Sequence, residues 1–240
     1  NRRGNEPKNT QKNAPYTMEE GGDTMLTIAL PTGRVMRNAI DFCEEMGLPV
    51  AKLRETGRQL VVQEGDFRYI LSKPSDVPLY VSHGVANIAL AGSDVLRECT
   101  VDYVELADTG RGQCRIVIAG PQKLRALFSG HPSELMWLKV ATKYPHIADS
   151  YFSEMGVQVE IIHLHGSIEL APTLGMSDCI LDIVQTGDTL KANKLVVLKE
   201  IAPVSLRLIA SRQSVSLKWQ QTMALLKTIT RPKGETSYEH

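Results

Sequence analysis

The stretch of sequence that decides the fold is CILDIVQTGDTLKANKL, residues 179–195. Its apolar, β-prone first part ends at Val184, a Thr-Gly-Asp-Thr turn follows at residues 186–189, and residues 190–193 are typical of a first helical turn. Where a strand turns directly into a helix, free backbone N–H groups collect at the positive end of the helix dipole. The pattern therefore predicts a binding site for a phosphate dianion.

The side chains around this turn support the same interpretation. The hydroxyls of Thr186 and Thr189 add donors, and Gly187 permits the backbone conformation that points successive N–H groups inward. Asp182, upstream on the strand, is placed to accept hydrogen bonds from sugar hydroxyls or to face a metal that neutralises the phosphates. An ordinary strand, turn and N-capped helix explains the same residues, because Thr-Gly-Asp-Thr also caps helices. Spacing alone favours neither interpretation.

The composition of the chain excludes several classes of protein. The 240 residues contain 27 Lys plus Arg and 27 Asp plus Glu, so no bulk charge draws the chain to nucleic acid. The four cysteines are widely spaced, which favours reduced core thiols over a zinc site or a redox pair. We find no run of about 18 apolar residues and no apolar signal segment at the N-terminus. We therefore expect a cytoplasmic protein with no membrane or nucleic-acid partner.

The rest of the chain alternates strands with helices. After a polar, flexible arm at residues 1–24, a strand at residues 25–30 is broken by Pro-Thr-Gly-Arg and leads into a helix at residues 35–46. Similar junctions recur, which predicts an α/β protein with mostly parallel layers. Two lobes with a cleft between them are the simplest architecture. The last predicted elements are a strand at residues 204–210 and a helix at residues 217–229.

Polar residues at these junctions are candidates for a ligand site, because the strand ends of an open α/β sheet meet at one edge. The junctions are Gly33-Arg34, Ser75-Asp76, Ser93-Asp94, Thr142-Lys143, residues 167–169 and residues 186–189. Simpler roles explain some of them, since Arg34 is equally suited to solvent and Ser75 or Asp76 to capping the next helix. His163 and His165 alternate along one strand without a third ligand nearby in sequence. We favour a structural or solvent-facing pair over a metal site.

Five segments of the chain carry a resemblance to a known family. They are LPTGR at residues 30–34, PSDVP at 74–78, ATKYP at 141–145, GSIELAP at 166–172 and DIVQTGDTLKAN at 182–193. In this order they resemble the hallmark segments of ATP phosphoribosyltransferase. The resemblance implies a fold similar to type II periplasmic-binding proteins, with two lobes and a hinge of two crossing segments. One lobe would hold residues 25–112 plus 205–240, and the other, residues 113–204, would carry the phosphoribosyl pyrophosphate loop.

The resemblance also implies a reaction. N1 of ATP would attack C1 of phosphoribosyl pyrophosphate and release pyrophosphate, accompanied by Mg²⁺, in the first step of histidine biosynthesis. Adenine N1 is a weak nucleophile, so we expect the rate to depend on positioning and on cationic groups that stabilise the departing pyrophosphate. Guanidinium groups suit phosphate oxygens particularly well.

A role for each matching residue follows from the resemblance. Arg34 and Arg58 are the expected catalytic residues. The expected phosphoribosyl pyrophosphate contacts are Asp182, Thr186, Gly187, Asp188, Thr189 and Glu169. The expected ATP contacts are Arg34, Ser75, Asp76 and Lys143, and the chain itself is expected to supply no metal ligand. Three positions depart from the family pattern: Gln59 where a lysine is usual, Gln185 where an acid is common, and Lys194 where a glycine is usual.

The length of the chain adds an expectation about partners. Long-form members of the family continue into a histidine-binding regulatory domain, whereas this chain stops shortly after the helix predicted at residues 217–229. It therefore resembles the short-form catalytic subunit. That form implies a homodimer within a hetero-octamer, together with a regulatory subunit resembling histidyl-tRNA synthetase. The alternative function is a non-catalytic two-lobed sensor of small ligands, although residues 1–24 contain neither a helix-turn-helix nor a signal peptide.

Overall fold

The computed structural model describes residues 25–217 of the chain. In chain order the strands are β1 (Leu26–Pro31), β2 (Val61–Glu64), β3 (Phe67–Ser72), β4 (Ile88–Gly92), β5 (Val104–Asp108), β6 (Cys114–Gly120), β7 (Lys139–Thr142), β8 (Glu160–His163), β9 (Cys179–Val184), β10 (Val196–Val204) and β11 (Leu206–Ala210). Strands β1 and β4 are buried almost throughout. Such continuous apolar runs are typical of strands covered on both faces.

Helices connect most of these strands. They are α1 (Met36–Glu45), α2 (Ala51–Arg54), α3 (Val77–Ser82), α4 (Ser93–Glu98), α5 (Pro145–Glu154), α6 (Leu170–Thr173), α7 (Asp188–Ala192) and α8 (Arg212–Leu217). Short 3-10 helices lie at Gly33–Val35, Gln122–Leu124, Leu127–Ser129 and Pro132–Leu135. Within residues 25–217, no helix has the length and hydropathy that a membrane crossing requires.

The strands form two mixed sheets. The six-stranded sheet has the order β2-β3-β1-β4-β11-β5 and the five-stranded sheet has the order β10-β6-β9-β7-β8. Strands β3, β1 and β4 run parallel in the first sheet, as do β9, β7 and β8 in the second, but the remaining pairings are antiparallel. The α/β class is confirmed, whereas the expectation of mostly parallel layers was wrong. Strands β2 and β3 form a hairpin, and β10 and β11 pair antiparallel with their neighbours.

Strand β10 is the largest element that the sequence did not predict. The sequence indicated one strand at residues 204–210, but the chain is extended from Val196 to Val204 in one sheet and from Leu206 to Ala210 in the other. Only Val204 of β10 is buried, so the strand lacks a strong apolar period. The predicted arm at residues 1–24 lies outside the described residues. So does the predicted helix at 217–229, apart from Leu217 in α8.

The chain passes between the sheets in two adjacent segments. One segment, residues 109–113, leads from β5 to β6, and the other, Ser205, leads from β10 back to β11. The N–H of Leu206 donates to the carbonyl of Arg111 at 2.8 Å, and the N–H of Thr109 donates to the carbonyl of Leu206 at 3.0 Å. These backbone bonds hold the two crossing segments side by side.

Each sheet packs its own apolar core. The four free cysteines differ in how deeply they are buried. Cys43 and Cys179 are fully buried, and burial raises the pKa of each thiol to about 12. These two fit the predicted reduced core thiols. Cys99 and Cys114 are only half-buried and line the space between the two sheets, although Cys114 also packs against a core cluster. The prediction of a core position was therefore wrong for Cys99 alone.

Helix α7, which follows the turn at residues 186–189, ends in a Schellman motif. The N–H of Lys194 donates to the carbonyl of Lys191 at 3.0 Å, and the N–H of Leu195 donates to the carbonyl of Leu190 at 2.9 Å. Leu190 and Leu195 pack in the same apolar cluster. The motif requires a left-handed residue at its penultimate position, and Lys194 has φ +58°. This backbone requirement explains why glycine is usual there and why lysine is strained.

Lys194→Gly should therefore raise the free energy of unfolding by roughly 0.5 to 1 kcal/mol, because relief of left-handed strain exceeds the added flexibility of the unfolded chain. Chemical denaturation measures the change. Lys191→Gly, which places the same residue inside α7, is the matched control and should lower the free energy of unfolding by about 0.5 to 1 kcal/mol. Equal destabilisation by both substitutions would contradict the strain at Lys194.

Candidate functional site

A cleft of about 760 Å³ lies between the two sheets. The six-stranded sheet contributes Thr32, Gly33 and Arg34 after β1, Pro74 and Ser75 after β3, and Asp94, Val95 and Glu98 from α4. The five-stranded sheet contributes Lys143 and Tyr144 after β7, His163 and His165 at the end of β8, and Ile183 and Gln185 at the end of β9. The carboxyl ends of the parallel strands of both sheets thus meet in one cavity, as ligand sites of open α/β sheets do.

Three of the sequence-predicted site residues line this cleft. They are Arg34, Ser75 and Lys143. Arg34 is exposed in a 3-10 turn that begins at Gly33, whose φ of +77° favours glycine. The cleft therefore has an exposed guanidinium group at one wall and the ammonium group of Lys143 at the other.

Asp182 joins this group through Lys143. Its Oδ1 lies 3.4 Å from Lys143 Nζ and also accepts the N–H of Ile183 at 2.8 Å. Burial of Asp182 raises the pKa of its carboxyl above the usual value, and the negative charge of Glu169 acts in the same direction. Lys143 and the Ile183 N–H oppose that shift. The carboxylate is thus nearly desolvated and holds a cation at the edge of the cleft.

The predicted turn at residues 186–189 is present, but its side chains do not cap α7. Gly187 is the N-cap residue with φ +85°, and no side chain accepts a capping hydrogen bond there. Thr186 Oγ1 instead donates to Asp188 Oδ2 at 2.7 Å. The side-chain capping interpretation of the turn is therefore wrong. Gln185, just before the turn, lines the cleft, whereas residues 186–189 do not.

Two further predicted contacts, Asp76 and Glu169, begin helices outside the cleft lining. Asp76 is the N-cap residue of α3 and Glu169 that of α6, and neither side chain caps its helix. Ser75 Oγ donates to Asp76 Oδ1 at 2.8 Å, so the expected capping by Ser75 or Asp76 was also wrong. The pairing of these two neighbours leaves Ser75 at the cleft wall.

Arg58 lies apart from the other predicted residues. It lines a separate, shallower depression of about 560 Å³ together with Lys52, Gly57 and Gln59. Arg34 and Arg58, the two expected catalytic residues, are therefore not brought together within one cleft of one chain.

Sequence reasoning missed the contacts that join the two walls of the cleft. Tyr144 Oη donates to Asp94 Oδ2 at 2.9 Å, although the residues are fifty positions apart and belong to different sheets. Burial and the Asp94 charge raise the pKa of the Tyr144 phenol, which keeps it a neutral donor. Glu98 accepts the N–H groups of His146 and Ile147 at 3.0 and 3.1 Å. The four-residue spacing of Asp94 and Glu98 on one helix was the available signal.

The two histidines also line the cleft. The rings of His163 and His165 lie 4.7 Å apart, and both side chains are exposed. Among residues 25–217, no group of three or more His, Cys, Asp or Glu side chains is arranged to hold a metal ion. The exposure agrees with the interpretation of a solvent-facing pair.

Comparisons with known proteins connect this geometry to a family. The family model described as HisG: ATP phosphoribosyltransferase matches residues 73–231. ATP phosphoribosyltransferase of Rubrobacter xylanophilus is 43% identical over 206 residues, which are 86% of this chain and 95% of that relative. The chain belongs to the ATP phosphoribosyltransferase family.

Solved structures agree with this membership. The ATP phosphoribosyl transferase (HisG:HisZ) complex from Thermotoga maritima contains a chain with 31% identity and a TM-score of 0.71, over 85% of this chain and 96% of that one. The periplasmic aliphatic sulphonate binding protein of Escherichia coli shares only 13% identity but has a TM-score of 0.55, over 85% of this chain and 71% of that one. The second likeness shows the fold alone and confirms the expected two-lobed architecture of the periplasmic-binding-protein kind.

The buried carboxyl of Asp182 makes stability depend on pH. A carboxyl whose pKa is raised in the folded state binds more protons there, so it favours folding at low pH and loses that contribution as pH rises through the raised pKa. Asp182→Asn should therefore gain in free energy of unfolding over the parent protein as pH rises from about 4 toward neutrality. Denaturation at several pH values measures the gain.

Asp66→Asn is the control for this comparison, because Asp66 lies exposed in the β2–β3 turn. Across the same pH range, it shows how the loss of an exposed carboxyl alone changes the free energy of unfolding. A difference between Asp182→Asn and the parent that stays constant with pH would contradict the effect of burial on the pKa of Asp182.

Proposed function

We propose that this chain catalyses the condensation of ATP, through N1, with phosphoribosyl pyrophosphate to give phosphoribosyl-ATP and pyrophosphate, the first step of histidine biosynthesis. Membership of the ATP phosphoribosyltransferase family supports the activity. The observation that carries the proposal is the cleft, which places Arg34 from one sheet opposite Lys143 and its partner Asp182 from the other. A non-catalytic ligand sensor is not favoured, because the relatives that match most of this chain are enzymes by name.

The chemistry requires positive charge where the leaving group departs. Breaking the bond from C1 of the ribose to pyrophosphate creates an oxocarbenium-like sugar and a highly charged leaving group. Arg34 is exposed in the cleft and free to turn its guanidinium toward phosphate oxygens, which planar N–H pairs bind in bidentate fashion. We therefore assign Arg34 to a contact with the leaving pyrophosphate or with the phosphates of ATP.

The phosphoribosyl group would bind along β9 and the turn that follows it. Residues 186–189 would hold the 5′-phosphate through backbone N–H groups, with Gly187 setting the turn conformation and the side chains of Thr186, Asp188 and Thr189 around it. Asp182, at the edge of the cleft, would accept hydrogen bonds from the ribose hydroxyls, with Glu169 nearby. A desolvated carboxylate fixes such hydroxyls strongly.

ATP would lie between Arg34 and Ser75 on one wall of the cleft and Lys143 on the other, and all three residues line the cleft. Asp76 would act through its hydrogen bond with Ser75. Arg58 stands outside this cleft. A contact of Arg58 with substrate therefore requires movement of its loop or a second copy of the chain, which suits the proposed homodimer.

Mg²⁺ would accompany phosphoribosyl pyrophosphate. Magnesium usually binds through one or two carboxylates plus substrate phosphates and keeps several waters. Although the sequence predicted no metal ligand from the chain itself, Asp182 and Glu169, whose charges interact, fit that donor set. When bound, the ion would neutralise charge on the leaving pyrophosphate, while the residues of the chain position the two substrates.

The same proposal covers the organisation of the enzyme. Residues 25–112 plus 205–240 would form one lobe and residues 113–204 the other, with the crossing segments as hinge; residues 218–240 lie outside the described part of the chain. The complex from Thermotoga maritima pairs HisG with HisZ, which supports a regulatory subunit here, resembling histidyl-tRNA synthetase, around a homodimer in a hetero-octamer. Both substrates are metabolites of the cytoplasm, where we place the enzyme.

The chain, assembled with its regulatory subunit, should form phosphoribosyl-ATP from ATP, phosphoribosyl pyrophosphate and Mg²⁺. Arg34→Ala should lower kcat by a factor of about 10² to 10³, or about 2.7 to 4 kcal/mol, by analogy with the loss of one oxyanion donor. Its free energy of unfolding should stay close to that of the parent, because Arg34 is exposed. A chromatographic assay of phosphoribosyl-ATP measures kcat of the parent and of Arg34→Ala.

Arg37→Ala is the matched control, since Arg37 is exposed in α1 and does not line the cleft. It should leave kcat near the parent value. No product from the parent complex would refute the proposed reaction, and equal rates for Arg34→Ala and the parent would remove Arg34 from the mechanism.

The turn itself can be tested at Gly187. A Cβ there would meet only Val184 Cγ1 at 3.8 Å, so the strain of Gly187→Val arises from the left-handed backbone and not from crowding. We expect calorimetry to show no binding of phosphoribosyl pyrophosphate, since the N–H groups no longer point inward. Thr186→Ala keeps these groups and should weaken binding by about 1.5 to 3 kcal/mol.

Gly156→Val supplies the control for backbone strain. Gly156 has φ +69°, follows α5 and has no atom within 4 Å of an added Cβ. It should show a similar loss of stability with unchanged phosphoribosyl pyrophosphate affinity. Unchanged affinity in a folded Gly187→Val protein would place the phosphate site elsewhere.

A further inference from the structure

Three hydrogen bonds connect α4 of one sheet to the N-terminus of α5 of the other. Tyr144 Oη donates to Asp94 Oδ2, and the N–H groups of His146 and Ile147 donate to the two carboxylate oxygens of Glu98. Asp94 and Glu98 lie one turn apart on the same helix. The bonds join residues 48 to 50 positions apart in sequence, so they tie the two sheets together independently of the crossing segments.

The N-terminus of α5 has no cap of its own. Its first residue is Pro145, and its N-cap residue, Tyr144, makes no side-chain capping bond. The nearest hydroxyl, Thr142 Oγ1, accepts the N–H of Tyr144. The free N–H groups of the first turn therefore donate to a carboxylate from the other side of the cleft. The negative charge of that carboxylate also interacts favourably with the positive end of the helix dipole.

Asp94 also lies close to the backbone at Gly92. A Cβ at Gly92 would collide with Asp94 Oδ1, so a side chain there would displace the carboxylate. Both Asp94 and Tyr144 are buried, at 6% and 7% exposure. A buried carboxylate that loses its donor is costly, so separation of α4 from α5 at this point is opposed.

The Glu98 half of the contact is more open to water. Glu98 is half-buried and His146 is exposed, so water can replace the bond between them when the helices part, while the bond to Ile147 is more sheltered. Asp94, Glu98, Lys143 and Tyr144 all line the cleft. The distance between α4 and α5 therefore sets how far Lys143 stands from the wall that carries Arg34.

We propose that Asp94 and Glu98 latch α4 to the N-terminus of α5 and are positioning residues that hold the cleft at its binding width before substrates enter. The latch biases the sheets toward the closed arrangement, in which both walls contact the substrates at once. A protein whose competent state is only partly populated binds with an affinity reduced by that fraction. Loss of the latch should thus weaken binding more than it slows the chemical step, which occurs only in the closed state.

The part of this inference that concerns substrates rests on the proposed function, and the part that concerns shape does not. Glu98→Ala should enlarge the radius of gyration of the substrate-free chain in X-ray scattering. In the assembled enzyme it should raise KM for both ATP and phosphoribosyl pyrophosphate about tenfold, with a much smaller change in kcat. Glu98→Gln keeps one carbonyl acceptor and should fall between Glu98→Ala and the parent in both measurements.

Asp149→Asn is the matched control, because Asp149 is an exposed acid in the first half of α5 with no hydrogen bond to the other sheet among the described contacts. It should keep the parent radius of gyration and KM. Circular dichroism verifies that each variant is folded, and Glu98→Gln decides the question should Glu98→Ala not fold.

An unchanged radius of gyration in folded Glu98→Ala and Glu98→Gln would overturn the latch. A lowered kcat with unchanged KM would overturn the positioning role and place Glu98 in the chemistry. If the parent enzyme formed no phosphoribosyl-ATP, the proposed function would fail, while the scattering comparison would still decide the latch.

Discussion

The cleft depends on the way the chain crosses twice between two sheets. Backbone hydrogen bonds between residues 109–111 and Leu206 hold the crossing segments side by side, and β10 and β11 continue one extended path through both sheets. A double connection restricts relative motion of the sheets far more than a single linker does, because both segments must bend together. The carboxyl ends of β1 and β7 therefore face one another across a defined gap, and side chains from distant parts of the sequence become neighbours.

Burial then decides the electrostatics of that gap. Asp182 is desolvated and retains its partner Lys143, whereas Arg34 is exposed in the same cleft. A cation already paired with a buried carboxylate is held in place, while an exposed guanidinium is free to follow a phosphate group. The two walls thus differ in kind: one is fixed before substrate arrives, and the other adapts to it.

The sequence could predict the features that depend on short segments. The strand-turn-helix at residues 179–195, the junction at Arg34 and the alternation of strands and helices are local patterns, and they were located within a few residues. Strand β10 escaped because pairing with β6 holds it extended, while its mostly unburied residues show no apolar period. The bond between Tyr144 and Asp94 joins the two sheets, so no local pattern contains it. The separation of Arg58 from Arg34 is a tertiary fact of the same kind.

The three departures from the family pattern fall in physically different places, and the structure gives each a different weight. Lys194 occupies a left-handed backbone position, so this departure affects stability through backbone strain. Gln59 lies beside Arg58 in the separate depression, outside the gap between the sheets. Gln185 alone lines the cleft, just before the turn and on the wall that carries Asp182. Replacing an acid by an amide at that point removes negative charge from the wall that would receive phosphate groups in the proposed reaction, so this departure would favour anion binding there.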